Sequence, residues 1–442
     1  MGQYLSVPET EKHSEDGEDG CLEYGASAMQ GWRMSMEDAH IAKPKIADKQ
    51  GMFAVFDGHG GAEVALFCEK HMVKELKLLE EYKRGDYEKA LTRAFHRMDE
   101  LIADEKYADE LERLKQERIN YNKKEGSADV DHEVPENGDA DSSPTKERGD
   151  QEMDSPEPAV EENNDTTAED RKDDTENSPT SPSDMPSIIL QEAQENADGP
   201  TNGKSGAQMG PENAIVLTFD SQNGARSGGS GGKPSLTTLL PMNLLDDQQC
   251  RLVDHRVVAG CTAVVALIID NEIIVANAGD SKAVLCRGGN AIGMSFEHKP
   301  FNDTEKKRIE AAGGFVSPAG RVNNNLNLSR SIGDLKYKGN TSLPPKDQMI
   351  TSEPDINREK IRPEDEFLII ACDGVWDVMQ NQDAVDFVRE KLKTPGIKLS
   401  QICEDIFMKC LAQDPRRTSG LGGDNMTAII VRFNHNRRHE QS

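Results

Sequence analysis

Between residues 125 and 200 the chain carries 24 Asp and Glu against 4 Lys and Arg, and no aromatic residue. Such a stretch cannot bury enough apolar surface to offset the entropy of ordering it, so it is expected to be disordered. Low complexity continues to Ser235, now rich in Gly and Ser, and only Ile188–Leu190 and Ala214–Phe219 are apolar enough to order locally. Any folded body must therefore be assembled from the two flanks, as one domain split by a long insertion. The split costs little, because loop-closure entropy grows only with the logarithm of length. The expected division is a tail over 1–21, a folded domain from 22–103 and 255–433, an insertion over 104–254, and a tail over 434–442.

The same segment accounts for most of the formal net charge of −28. That balance argues against a nucleic-acid backbone as a direct partner and against a generic anionic membrane surface. The longest apolar run, Cys261–Ile269, is too short for a transmembrane segment, and Met1–Gly20 is too polar for a signal peptide. Eight cysteines form no C-x-x-C pair and read as reduced thiols of an intracellular protein, cytoplasmic and/or nuclear.

In the flanks, Gly51–Phe56, Cys261–Ile269, Glu272–Asn277, Lys282–Cys286, Glu366–Cys372 and Met426–Phe433 are apolar and β-branched, and read as strands. Ala62–Leu79, Tyr87–Ile102, Glu305–Ala312 and Gln382–Lys393 read as helices, and charged Ala103–Lys124 as a helical extension into solvent. Meander-like strands with interspersed helices predict an α+β fold rather than a doubly wound sheet.

Five strand-end or turn positions carry carboxylates: Asp57 after Met52–Phe56, Asp373 after Phe367–Cys372, Asp424 before Met426–Phe433, Asp280 in the Gly279-Asp280-Ser281 turn, and the Glu37-Asp38 pair. Any one of them is an ordinary turn signal. Gathered together they would repel each other and require a cation, and an all-oxygen donor set without His or Cys points to Mg²⁺ or Mn²⁺. Glycines beside Asp57 and Asp373 would give backbone carbonyls access to the metal.

Seven ordered motifs resemble those of the metal-dependent protein phosphatases, the protein phosphatase 2C family: Gly31-Trp32-Arg33 with Met36-Glu37-Asp38-Ala39-His40, Phe56-Asp57-Gly58-His59-Gly60-Gly61, Ala276-Asn277-Ala278-Gly279-Asp280-Ser281, Gly320-Arg321-Val322-Asn323, Leu328-Ser329-Arg330-Ser331-Ile332-Gly333-Asp334, Ala371-Cys372-Asp373-Gly374-Val375-Trp376-Asp377 and Gly423-Asp424-Asn425-Met426-Thr427. The N-terminal Tyr4-Leu5-Ser6, the Ala28–Trp32 run, Leu343-Pro344-Pro345 and the acidic insertion are similar to the family's gamma form. Asn324, Ser331 and Cys261 depart from its usual Gly, Ala and Ser or Thr.

The resemblance implies a sandwich of two antiparallel β-sheets flanked by α-helices, and a protein serine/threonine phosphatase using two Mg²⁺ or Mn²⁺ ions with a bridging water as direct nucleophile. Asp57 would bridge the ions, Asp373 and Asp424 would hold the first, and Glu37 with the Gly58 carbonyl the second. Asp38 would orient the water, Arg33 hold the phosphate, and His59 serve as leaving-group acid. Asp280 and Asp377, with Asp373, could hold a looser third ion.

Expected partners are phosphoprotein substrates, with the acidic insertion as an arm for basic ones, and the chain is expected to act as a monomer. Gly2 with Ser6 fits an N-myristoylation pattern, a weak lipid anchor on its own. Gly228–Lys233 fails as a phosphate loop, because Ser227 replaces the first glycine and Pro234 follows the lysine. The alternative, from another class, is an acidic scaffold that binds basic proteins and whose catalysis is vestigial.

Overall fold

A computed structural model describes residues 4–125, 252 and 255–435. Residues 126–251 of the insertion, and Gly2, lie outside the described residues.

Two antiparallel sheets carry the fold. The strands are β1 (Tyr4–Asp19), β2 (Leu22–Arg33), β3 (Ala39–Ala47), β4 (Gln50–Phe56), β5 (Gly58–His59), β6 (Gly260–Cys261), β7 (Ala263–Ile269), β8 (Glu272–Ala278), β9 (Lys282–Arg287), β10 (Asn290–Gly293), β11 (Ile332–Gly333), β12 (Asp355–Lys360), β13 (Asp365–Ala371) and β14 (Met426–Phe433). One sheet has the order β1-β2-β14-β13-β9-β10 and the other β12-β8-β7-β4-β3, while β11-β6-β5 form a small third sheet.

Alternation within the central strands shows why the chain folds in layers. Phe53 and Val55 of β4 and Leu368 and Ile370 of β13 meet between the sheets. Met52, Ala54 and Phe56 turn to the other side, against α1 (Glu63–Leu78), α2 (Tyr87–Ala103) and α3 (Ala108–Glu125). Phe367, Ile369 and Ala371 likewise face α5 (Asp373–Trp376), α6 (Asn381–Lys391) and α7 (Leu399–Cys410), with α4 (Asp303–Ala311) lying earlier in the chain. Strands buried on both faces read as unbroken apolar runs, which made them visible in the sequence.

Two expectations change. Residues 4–19, read as a tail, form edge strand β1, paired with β2 from Tyr4↔Arg33 to Asp19↔Leu22. Its pairing is carried by backbone, and Asp16 accepts from the Ser400 amide (3.0 Å) and hydroxyl (2.6 Å) at the start of α7. A charged edge strand also resists pairing with other chains. The helical extension α3 docks rather than running free: Leu111 and Leu114 are buried, and Glu110 pairs with Lys70 and His71 on α1.

The segment between β10 and β12 contains a small apolar cluster of its own, around Ile309, Val322, Tyr337 and Met349. Within it Glu305 bridges Arg308 (2.6 Å) and Arg330 (2.7 Å). Burial opposes ionisation of Glu305, but these arginines bring its carboxyl down to about 2. Asn323 and Asn324 take φ of 49° and 63°, a left-handed turn that Asn tolerates in place of Gly.

Candidate active site

Every carboxylate singled out above lies at one end of the sandwich. Arg33 ends β2, Glu37 and Asp38 lie in the loop to β3, Asp57 ends β4, Asp280 turns β8 into β9, Asp373 opens α5 after β13, and Asp424 precedes β14. Arg33, Glu37, Asp57, Gly58, His59, Asp280, Asp373 and Asp424 line one cavity of about 480 Å³. Carboxylate oxygens of Asp57, Asp280 and Asp373 lie within 4.8 Å of one another. Asp38 is buried behind this wall, with Oδ2 accepting from Thr427 Oγ1 at 2.7 Å. Asp377 is exposed and outside the cavity lining.

Two glycines make the close approach possible. A Cβ on Gly58 would stand 2.2 Å from the Glu37 carbonyl oxygen, and one on Gly374 2.0 Å from that of Asn425. Their bare backbones let the Glu37 loop sit against Asp57 and the Asp424 loop against Asp373. Asn425 ties the loops together: its Oδ1 accepts from the Glu37 amide (3.0 Å), and its Nδ2 donates to the carbonyls of Gln30 (2.8 Å) and Ser35 (3.0 Å). Glu37 is aimed by Ser35 Oγ (2.8 Å) and the Gly61 amide (3.1 Å).

Protein alone does not neutralise this cluster. Burial, then Asp373 and the other acids, push the Asp57 carboxyl well above the usual range. Burial, then Asp280 and Asp424, do the same to Asp373. A hard divalent cation reverses that penalty, and the all-oxygen donor set fits Mg²⁺ or Mn²⁺. Asp424 also pairs with the Arg33 guanidinium, which places a planar cation beside the acids.

One cation in the site was not legible from the sequence. Lys299 Nζ lies 2.6 Å from Asp280 Oδ2. Burial works against its charge, but Asp280, Asp373 and Asp377 hold its pKa above the ordinary lysine value. The acids that could take a third ion thus already face a tethered ammonium. Lys299→Ala is expected to tighten Mn²⁺ binding on this side by about tenfold, or about 1.4 kcal/mol, read by calorimetric titration. An unchanged isotherm would show that Lys299 does not compete with metal.

His59 is held from behind. Its Nε2 lies 2.6 Å from Asp334 Oδ2, and Asp334 is buried. Burial would lower the imidazole pKa, but the Asp334 charge and hydrogen bond raise it. Asp334 stood in a recognised motif without a role, and a Gly-Asp pair carries no spacing signal that could have assigned one. Tyr4 and Arg321 also line the cavity.

Comparison with known proteins agrees with this architecture. The model of the protein phosphatase 2C family matches residues 22–117 and 236–418. Probable protein phosphatase 2C 21 of Arabidopsis thaliana is 37% identical over 433 residues, covering 98% of this chain and 93% of its own. Protein phosphatase 1G of Mus musculus is 35% identical over 510 residues, with 98% and 93% covered. A solved structure of a phosphatase from Toxoplasma gondii superposes with a TM-score of 0.54 at 17% identity over 96% of each chain, a likeness of fold. The sandwich, the ordered motifs and these matches together establish that the chain belongs to the protein phosphatase 2C family and is a protein phosphatase.

Proposed function

We propose that the chain hydrolyses phosphoserine and phosphothreonine in protein substrates, with two Mg²⁺ or Mn²⁺ ions held by Asp57, Asp373, Asp424, Glu37 and the Gly58 carbonyl. The supporting observation is the cluster of acids that share one cavity with Arg33 and His59. When bound, the ions supply an activated water as nucleophile and offset charge on the phosphoryl oxygens. Asp57 would serve both ions, Asp373 and Asp424 the first, and Glu37 with the Gly58 carbonyl the second. Asp38, held by Thr427, would orient that water. Arg33 presents a planar fork that suits two phosphate oxygens. His59 gives a proton to the departing serine or threonine oxygen. Positioning and charge stabilisation do most of the remaining work.

Turnover of a phosphoserine peptide against Mg²⁺ and Mn²⁺ concentration tests the reading. Saturable, metal-dependent hydrolysis that stops with chelator is expected. No turnover above background at any metal concentration would favour the scaffold reading.

The acidic insertion acts in this proposal as an electrostatic arm for basic substrates. The described cores are assembled outside it. Deleting 126–240 is expected to leave short-peptide turnover within a few-fold while raising KM for basic phosphoproteins at low salt. The difference should fade near 0.5 M salt, where the Debye length falls to roughly 4 Å. Equal losses on basic and neutral substrates would exclude the arm. Among the described residues no helix is long and apolar enough to cross a membrane.

A further inference from the structure

We propose that Asp334, itself fixed by Ser331, is the positioning residue for His59, setting the tautomer and orientation in which the ring serves the leaving group. The inference rests on the reading of His59 as the acid.

The small sheet is built as a jig for this pair. His59 of β5 pairs with Gly260 of β6, and Gly260 pairs with Gly333 of β11, one residue before Asp334. A Cβ on Gly260 would stand 2.4 Å from Asp334 Oδ2 and 2.7 Å from His59 Nε2. Only a bare backbone lets the carboxylate and imidazole meet there. The two side chains come from positions 275 residues apart, yet their contact is 2.6 Å.

Asp334 is held in a costly backbone state. Its φ and ψ are 50° and 35°, the left-handed region. Non-glycine residues there cost free energy and persist when the surroundings enforce them. Here the Asp334 amide donates to the Ala259 carbonyl (3.1 Å), and the Gly333 amide donates to Asp99 Oδ1 (2.8 Å). Lys338 Nζ bonds both Asp99 Oδ2 (2.6 Å) and the Ser331 carbonyl (2.7 Å). The Ser331 hydroxyl donates to the same Asp334 oxygen that faces His59, at 2.6 Å. With 3% of its side chain exposed against 27% for His59, Asp334 sits behind the ring while the ring lines the cavity.

This arrangement sorts the two ring nitrogens. Nε2–H is given to Asp334, so Nδ1 is the nitrogen left to serve substrate. The imidazolium passes its Nδ1 proton to the leaving oxygen as the P–O bond breaks, the P–O electron pair staying on that oxygen. The neutral ring keeps Nε2–H on Asp334, and solvent returns a proton to Nδ1. Without Asp334, either tautomer and several ring orientations become accessible, and only one is productive.

The test measures kcat and KM at saturating Mn²⁺ for wild type, Asp334→Ala, Asp334→Asn, His59→Gln and Asp334→Ala/His59→Gln, on a phosphoserine peptide and on p-nitrophenyl phosphate. Asp334→Ala is expected to lower peptide kcat by about 10²-fold, within the usual range of positioned proton transfer, with KM and aryl phosphate turnover within a few-fold. In the His59→Gln background the same change should cost no more than a few-fold, because the two side chains act as one unit. Asp334→Asn keeps the shape and an acceptor oxygen and tolerates the left-handed backbone, so it should fold and recover about tenfold of the loss. Equal losses on both substrates, or a full loss persisting without His59, would overturn the inference and leave Asp334 a support of the fold. If His59→Gln alone slows both substrates equally, the acid role of His59 falls, which is a separate result.

Discussion

Replacing Asp57 by Asn is expected to abolish phosphopeptide turnover at every Mg²⁺ or Mn²⁺ concentration, by on the order of 10³-fold or more, which corresponds to about 4 kcal/mol of transition-state stabilisation. Asn keeps the shape of the side chain and removes its charge. The Asp57 carboxylate lies within 4.8 Å of those of Asp280 and Asp373, and in the proposed reading it would serve both ions. Raising metal cannot compensate if both ions depend on it. Robust turnover of Asp57→Asn at millimolar Mn²⁺ would end the two-ion reading. Stability should move the other way. Burial and neighbouring acids raise the Asp57 pKa above its ordinary 3.8. A carboxyl whose folded value is raised loses stability as pH climbs from the unfolded value to the folded one, and bears the full penalty above it. In chelator, Asp57→Asn should therefore melt higher than wild type at pH 7, with the difference vanishing below about pH 3.8. A lower melting temperature at pH 7 would mean that the acids are not in mutual repulsion.

The parts of the fold legible in the sequence are those whose environment is simplest. β4, β7, β13 and β14 are covered on both faces, so nearly every residue is apolar, and the carboxylates stand out where the runs stop. β1, β3 and β12 lie at or near sheet edges with exposed positions, and their polar sequences carry no such signal. α7 buries Leu399, Ile402, Cys403, Ile406 and Phe407 at helical spacing, a pattern that follows closely on the helix breakers Pro395 and Gly396. In the site, the resemblance identified motifs but not the contacts between them. Lys299 reaches Asp280 across 19 residues, and Asp334 reaches His59 across 275. Neither pairing has a local period. Each exists because loops at one end of the sandwich converge, and that convergence depends on glycines whose neighbours are distant in sequence, Gly58 against Glu37 and Gly374 against Asn425.

His59→Gln should divide substrates by their leaving groups. Phosphoserine hydrolysis expels an alkoxide, which needs a proton as the P–O bond breaks. A nitrophenolate is stable without one. The variant is therefore expected to slow phosphopeptide turnover by on the order of 10²–10⁴-fold, the range for a positioned proton donor, while p-nitrophenyl phosphate turnover stays within a few-fold. The structure favours the charged ring: burial works against it, but Asp334 at 2.6 Å more than offsets that cost and raises the imidazole pKa. Loss of the imidazolium proton would then be the event behind the alkaline fall in the phosphopeptide rate, and that limb should be missing in His59→Gln. Gln can still hydrogen-bond to Asp334, so the variant removes proton transfer with little disturbance of the carboxylate behind it. Equal losses on both substrates with the alkaline limb retained would place His59 among the groups that support the metal or the attacking water. The proton for the alkoxide would then have to come from another group, and the Lys299 ammonium, held against Asp280, is a candidate donor to examine.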